Sequence, residues 1–110
     1  MILIKKTNLS KIQKLHNIFC KLYLEKYQEE LTLIEENENL IVLKSENGIY
    51  QIEHFISNRI RIVFPDYHGE IDYFRYYFGE ILGTNYEICD TSDFLEYTLS
   101  FVDKIIMKHS

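Results

Sequence analysis

The feature that most constrains this chain is a change of hydrophobic period near residue 30. From 10 to 29, Ile12, Leu15, Phe19, Leu22 and Tyr23 recur at helical spacing, with Lys11, Lys14, Lys21 and Glu25 on the other side. Ser10 and Gln13 stand at capping-box spacing, where hydroxyl and amide each satisfy an orphan backbone donor. An amphipathic helix over 10–29 is the expectation. From 31 to 64 the period falls to two. Leu31-Thr32-Leu33-Ile34 and Leu40-Ile41-Val42-Leu43 flank a polar turn, Glu36-Asn37-Glu38-Asn39. Asn47-Gly48 then leads into Ile49–Ile56, and both turn residues tolerate the positive φ that a type I′ hairpin turn requires. Ser57-Asn58 makes the next turn, and Arg59-Ile60-Arg61-Ile62-Val63-Phe64 alternates cleanly. Alternation with one apolar face predicts an antiparallel meander of three or four strands.

Pro65 stops the last strand, because it cannot donate to a ladder. Glu70 to Leu82 reads as a second helix, closed by Gly83 where a left-handed residue is wanted. Its wheel turns Ile71, Phe74, Phe78, Ile81 and Leu82 inward and Asp72, Tyr73, Tyr76 and Glu80 outward, with Tyr77 at the margin. Tyr86-Glu87-Ile88-Cys89 reads as a short strand. Asp90 to Ser92 would cap a third helix over about 92–108, with Asp93 and Glu96 in its first turn and Lys104 and Lys108 towards its end. Its stripe is Leu95, Leu99, Val102 and Ile106, widened by Phe94, Phe101 and Ile105. The order α-β-β-β-β-α-β-α implies an α+β fold, a three- to four-stranded meander covered by three helices. With one proline and four glycines there is no linker composition, so residues 1–110 form a single domain.

Several function classes fall away. The longest apolar runs are four residues, far short of the roughly 20 a membrane span needs. Lys5 and Lys6 follow the first run instead of preceding it, unlike a secretory signal, so a cytoplasmic protein is expected. Cys20 and Cys89 sit among apolar neighbours with no metal-ligand spacing and read as free thiols in a reducing compartment. No phosphate-binding loop, dinucleotide fingerprint, nucleophile elbow or zinc signature occurs. No cofactor and no metal are expected, and the chain reads as a non-enzyme.

Charge points elsewhere. Residues 66 to 103 carry nine acids (Asp66, Glu70, Asp72, Glu80, Glu87, Asp90, Asp93, Glu96, Asp103) against one base, Arg75, while residues 1 to 65 balance eight acids against nine bases. The same acidic segment holds six of the nine tyrosines. Carboxylates steer a basic partner and tyrosine supplies rigid contact area, whereas nucleic acid would be repelled. The candidate partner-binding set is Asp66, Tyr67, Asp72, Tyr73, Tyr76, Glu80, Asp90, Asp93 and Glu96. The outward tyrosines either cover adjacent protein at the helix edge or await a partner. Asp66-Tyr67-His68-Gly69-Glu70 places an imidazole between carboxylates on a loop, but Asp66 and Glu70 equally suit capping of the next helix. Glu53, His54, Arg59 and Arg61 could form a ribonuclease-like cluster only if a bulge brought His54 across the sheet. Otherwise the sheet face carries Glu–Arg cross-strand pairs.

On that acidic, aromatic set the chain resembles small immunity proteins of contact-dependent toxin systems. The likeness is one of type: an acidic chain of 110 residues, no enzymatic motif, and a coding bias shown by sixteen isoleucines and no alanine. It implies an inhibitor that occludes the active site of a basic toxin, most simply a nuclease. The element order is also similar to that of acidic dimeric secretion chaperones, which implies binding of an extended effector segment. The segment from Gly83 to Asp90 is too short for their usual strand pair. A small ribonuclease-like hydrolase using His54 or His68 is the third reading.

Overall fold

The computed structural model describes residues 10–65, 73–83 and 94–109. Helix α1, Lys11–Tyr27, is capped as its sequence requires: the Ser10 hydroxyl accepts from the Gln13 backbone and the Gln13 side chain accepts from the Ser10 backbone. It buries Ile12, Leu15, Ile18, Phe19, Leu22 and Tyr23. The helix ends where Gln28 turns left-handed (φ 54°) and its N–H donates back to the Leu24 carbonyl at 2.8 Å.

The meander follows as β1 (Thr32–Glu36), β2 (Leu40–Ser45), β3 (Gly48–Ile56) and β4 (Arg59–Val63), each antiparallel to the next. Its second turn differs from the type I′ expectation. Ser45 pairs with Gly48, so Glu46-Asn47 form the loop, and Gly48 alone takes positive φ, at 134°. The reason is a neighbour. A Cβ on Gly48 would stand 2.6 Å from Cβ of Pro65, so the glycine is required where the β4 exit crosses the hairpin.

Helix α2, Tyr73–Leu82, ends at Gly83, which takes φ 73° as the sequence anticipates. The third helix begins later than its apolar stripe suggests. Phe94–Thr98 is a strand, β5, paired with β4, and α3 runs only over Leu99–His109. Leu95 and Tyr97 are buried while Phe94, Glu96 and Thr98 are half-buried, a period of two. Thr98, and not Asp90–Ser92, caps the helix: its hydroxyl accepts from the Phe101 N–H at 3.4 Å. Glu96 therefore lies on a strand and not in a first helical turn. The strand expected at Tyr86–Cys89 falls outside the described residues.

The result is an α+β fold in the order α-β-β-β-β-α-β-α, with a five-stranded antiparallel sheet ordered β1-β2-β3-β4-β5. Helix α1 lies over β2 and β3, and α3 over β4 and β5. The core forms between them from Ile41, Leu43, Tyr50, Ile52, Ile60, Ile62, Leu95 and Tyr97 of the sheet and the buried helix stripes. An aromatic cluster sits at its centre, where Phe19 meets Phe74 and Phe78 at 5.1 Å and Tyr50 at 5.5 Å.

Candidate protein-binding surface

Helix α2 carries Tyr73, Tyr76 and Glu80 of the acidic-tyrosine set. Phe74, Phe78 and Leu82 are buried, as their spacing requires. Ile81 is not: it is 37% exposed, whereas Gly79 is buried. At about 100° per residue this rotates the buried arc from Phe74 towards the glycine side, leaving Ile81 on the trailing edge. The exposed arc thus carries Glu80 and Ile81, with Tyr76 half-buried beside them.

The tyrosines of α2 divide by role. Tyr77 packs against Phe74 with ring centroids 6.0 Å apart, and Lys26 of α1 lies 4.9 Å above its ring. It is a boundary residue that ties α2 to α1. Tyr76 is held from its own helix: Arg75 lies 4.9 Å from the ring centroid and donates to the Tyr76 hydroxyl at 3.0 Å. The one base of the acidic segment is thereby folded onto a tyrosine. Tyr73 opens α2, and its side chain lies outside the description. Asp66, Tyr67, Asp72, Asp90 and Asp93 lie outside the described residues, as does the Asp66–Glu70 stretch with His68.

Glu96 belongs to a different surface. On the sheet face away from the helices, Arg59 of β4 donates to Glu96 of β5 at 2.9 Å, and Arg61 donates to Glu53 of β3 at 3.1 Å. Arg61 also lies 5.1 Å from the Phe94 ring. Partly exposed pairs of this kind contribute little stability each, about 0–1 kcal/mol. Their effect is on register, since each couples neighbouring strands. His54 faces the other way, opposite buried Ile60, with Nε2 3.3 Å from the Ser57 carbonyl. The bulge in β3 falls between His54 and Ile56, beyond the imidazole, so it does not bring His54 to the arginines. The ribonuclease-like cluster is split across two faces.

His54 instead helps line a cavity of about 170 Å³ at one end of the sandwich, with Ser10, Lys11, Ile12, Glu38, Ile60 and Leu99. A second hollow of about 190 Å³ lies at the β5 edge between Arg59, Glu96, Tyr97, Thr98 and Phe101. Lys11 at the first is engaged with Asp103 at 3.0 Å, and Arg59 and Glu96 at the second with each other. Among the described residues no three His, Cys, Asp or Glu side chains converge in a way that could hold a metal. Burial pushes the Cys20 thiol up to about 11, a protonated and unreactive state at neutral pH. Burial lowers the His16 pKa, against the opposing pull of Glu36.

One group escaped the sequence reasoning. Glu29, Glu30, Glu35, Glu36 and Glu38 crowd around β1 with no base between Lys26 and Lys44. Averaging charge over residues 1 to 65 hides this run; a ten-residue window finds it. No helix among the described residues is long and apolar enough to cross a membrane. Searches against family models, curated proteins and solved structures find no match to this chain.

Proposed function

We propose that this protein is an immunity protein, a cytoplasmic inhibitor that binds a basic toxin, most simply a nuclease, and occludes its active site. The observation that carries the reading is the setting of α2. Its outer side bears exposed Glu80 and Ile81 with half-buried Tyr76 beside them, and the sequence on either side of it supplies Asp66, Glu70 and Asp72 before and Glu87, Asp90 and Asp93 after. Acidic sequence on both sides of a helix with an aromatic and aliphatic outer side suits a cationic, phosphate-binding cleft. Carboxylates take the place of phosphates and accelerate encounter, while the tyrosine fills the cleft and slows release. Arg75 restrains Tyr76 before binding, so less side-chain entropy is lost when the ring docks.

The test is to identify the basic partner by co-purification and to measure both rate constants against it. Tyr76→Ala and Glu80→Lys should raise the dissociation rate, with Tyr76→Ala costing about 2 kcal/mol of affinity. Asp93→Lys should slow association and flatten its salt dependence, with dissociation nearly unchanged. If all three variants bind like the parent while Arg59→Glu and Arg61→Glu abolish binding, the interface is the open sheet face and this assignment of the surface is wrong.

A further inference from the structure

Among the described residues the sheet ends at β1, and no other described strand pairs with its outer edge. All five β1 residues are exposed, Leu33 at 47% and Ile34 at 53%, and the helices lie over β2 to β5. Such an edge offers a row of backbone donors and acceptors to any extended chain. Proteins commonly blunt it with lysine or proline, and β1 has neither. Its one irregularity is a bulge that leaves Ile34 without a partner in β2.

Charge selects what can use the edge. Glu35 stands opposite Val42 on the open face, and Glu36 opposite buried Ile41 on the helix side. An added strand therefore meets a carboxylate on each face, with Glu29, Glu30 and Glu38 close in sequence. A second copy paired antiparallel through Thr32–Glu36 would set Leu33 and Thr32 opposite Glu35 and Glu36, and Glu30 opposite Glu38, so it would offer these carboxylates no counter-charge. A strand with basic residues would meet them as counter-charges.

We propose that the outer edge of β1 accepts an extended, lysine- or arginine-bearing segment of another protein by β-strand addition. Backbone hydrogen bonds supply the register, Leu33 and Ile34 the apolar contact, and the glutamates the sign of charge. This surface is separate from α2, and the inference stands whether or not the partner is a toxin.

The probe is a capped peptide of about eight residues alternating lysine and valine, long enough to span β1, titrated into the isotope-labelled 110-residue chain. Two comparison peptides replace every lysine with glutamate, or two valines with proline at unchanged charge. Saturable shifts should concentrate at residues 31–38 and in β2, and the β1 amides should exchange more slowly. The glutamate and proline peptides should bind at least about tenfold more weakly. Ile34→Lys and Glu35→Lys should each weaken the lysine peptide by about tenfold, and Tyr76→Ala should leave it unchanged. Equal binding by the proline peptide would overturn strand addition in favour of diffuse charge attraction. Equal binding by the glutamate peptide would overturn the selection by charge. Slow exchange in the free protein of the β1 amides that point away from β2 would overturn the open edge: concentration-dependent protection would mean a second copy, and concentration-independent protection the chain's own residues.

Discussion

Replacing Tyr23 with phenylalanine should stabilise this protein. The residue is 0% exposed and sits among Tyr27, Phe74 and Tyr50 at ring distances of 4.7, 4.9 and 5.4 Å. Its hydroxyl is buried with no hydrogen-bond partner. A buried hydroxyl that forgoes its bond to water costs about 1–3 kcal/mol. Phenylalanine keeps the ring and removes the oxygen, and the void of roughly 10 Å³ costs only about 0.2 kcal/mol. The net gain is about 1 kcal/mol, which raises Tm by roughly 4 °C for a domain of this size. Urea denaturation should show a higher midpoint at an unchanged slope. Tyr23→Leu serves as the companion, because it discards the three ring contacts as well. It should destabilise by about 2–4 kcal/mol. If Tyr23→Phe instead lowers stability by about 1 kcal/mol or more, the hydroxyl is bonded through an internal water and the reasoning fails.

Other consequences follow from single positions. Gly48→Ala should cost about 2–4 kcal/mol in urea denaturation, because φ of 134° and the Pro65 contact both oppose a side chain. Adding Pro65→Gly should recover only the part due to contact. With Cys89 replaced by serine, Cys20 should react with iodoacetamide at pH 8 about 100-fold more slowly than an ordinary thiol, as a pKa of about 11 leaves little thiolate. The His16 pKa is lowered on folding, so below the unfolded value of 6.5 the unfolded chain binds more protons and stability falls as pH drops. His16→Gln should reduce that loss, read as the difference in urea midpoint between pH 7 and pH 5.

Much of this architecture was legible because local and global preferences agree along it. The Ser10–Gln13 cap, the α1 stripe and the strands from Thr32 to Val63 each follow from spacing alone. The C-terminal third was ambiguous for a definable reason. Leu95 fits a helical series with Leu99 and Val102 and also an alternating one with Tyr97, and only pairing with β4 decides between them. Arg59, which meets Glu96, and Arg61, beside Phe94, lie more than thirty residues earlier in sequence, beyond any local window. The candidate surface was read less well. A charge count over long segments grouped Glu96 with Tyr76, although one lies on an outer strand and the other on a helix. The same count passed over the five glutamates around β1, whose significance depends on that strand being terminal.

The late arrival of β5 has a consequence for the nascent chain. Strands β1 to β4 pair only with their chain neighbours, so they can assemble as synthesis proceeds. The partner of β4 comes after some thirty further residues, and α3 after that. In the interval β4 is a terminal strand with Ile60 and Ile62 unprotected, the kind of segment that recruits other unfinished chains. Arg59 and Arg61 alternate with those isoleucines. Before β5 exists they are gatekeepers that deter aggregation; once it docks, Arg59 takes Glu96 as its counter-ion and Arg61 lies over Phe94. The pattern that sets the final register also shields the half-made molecule.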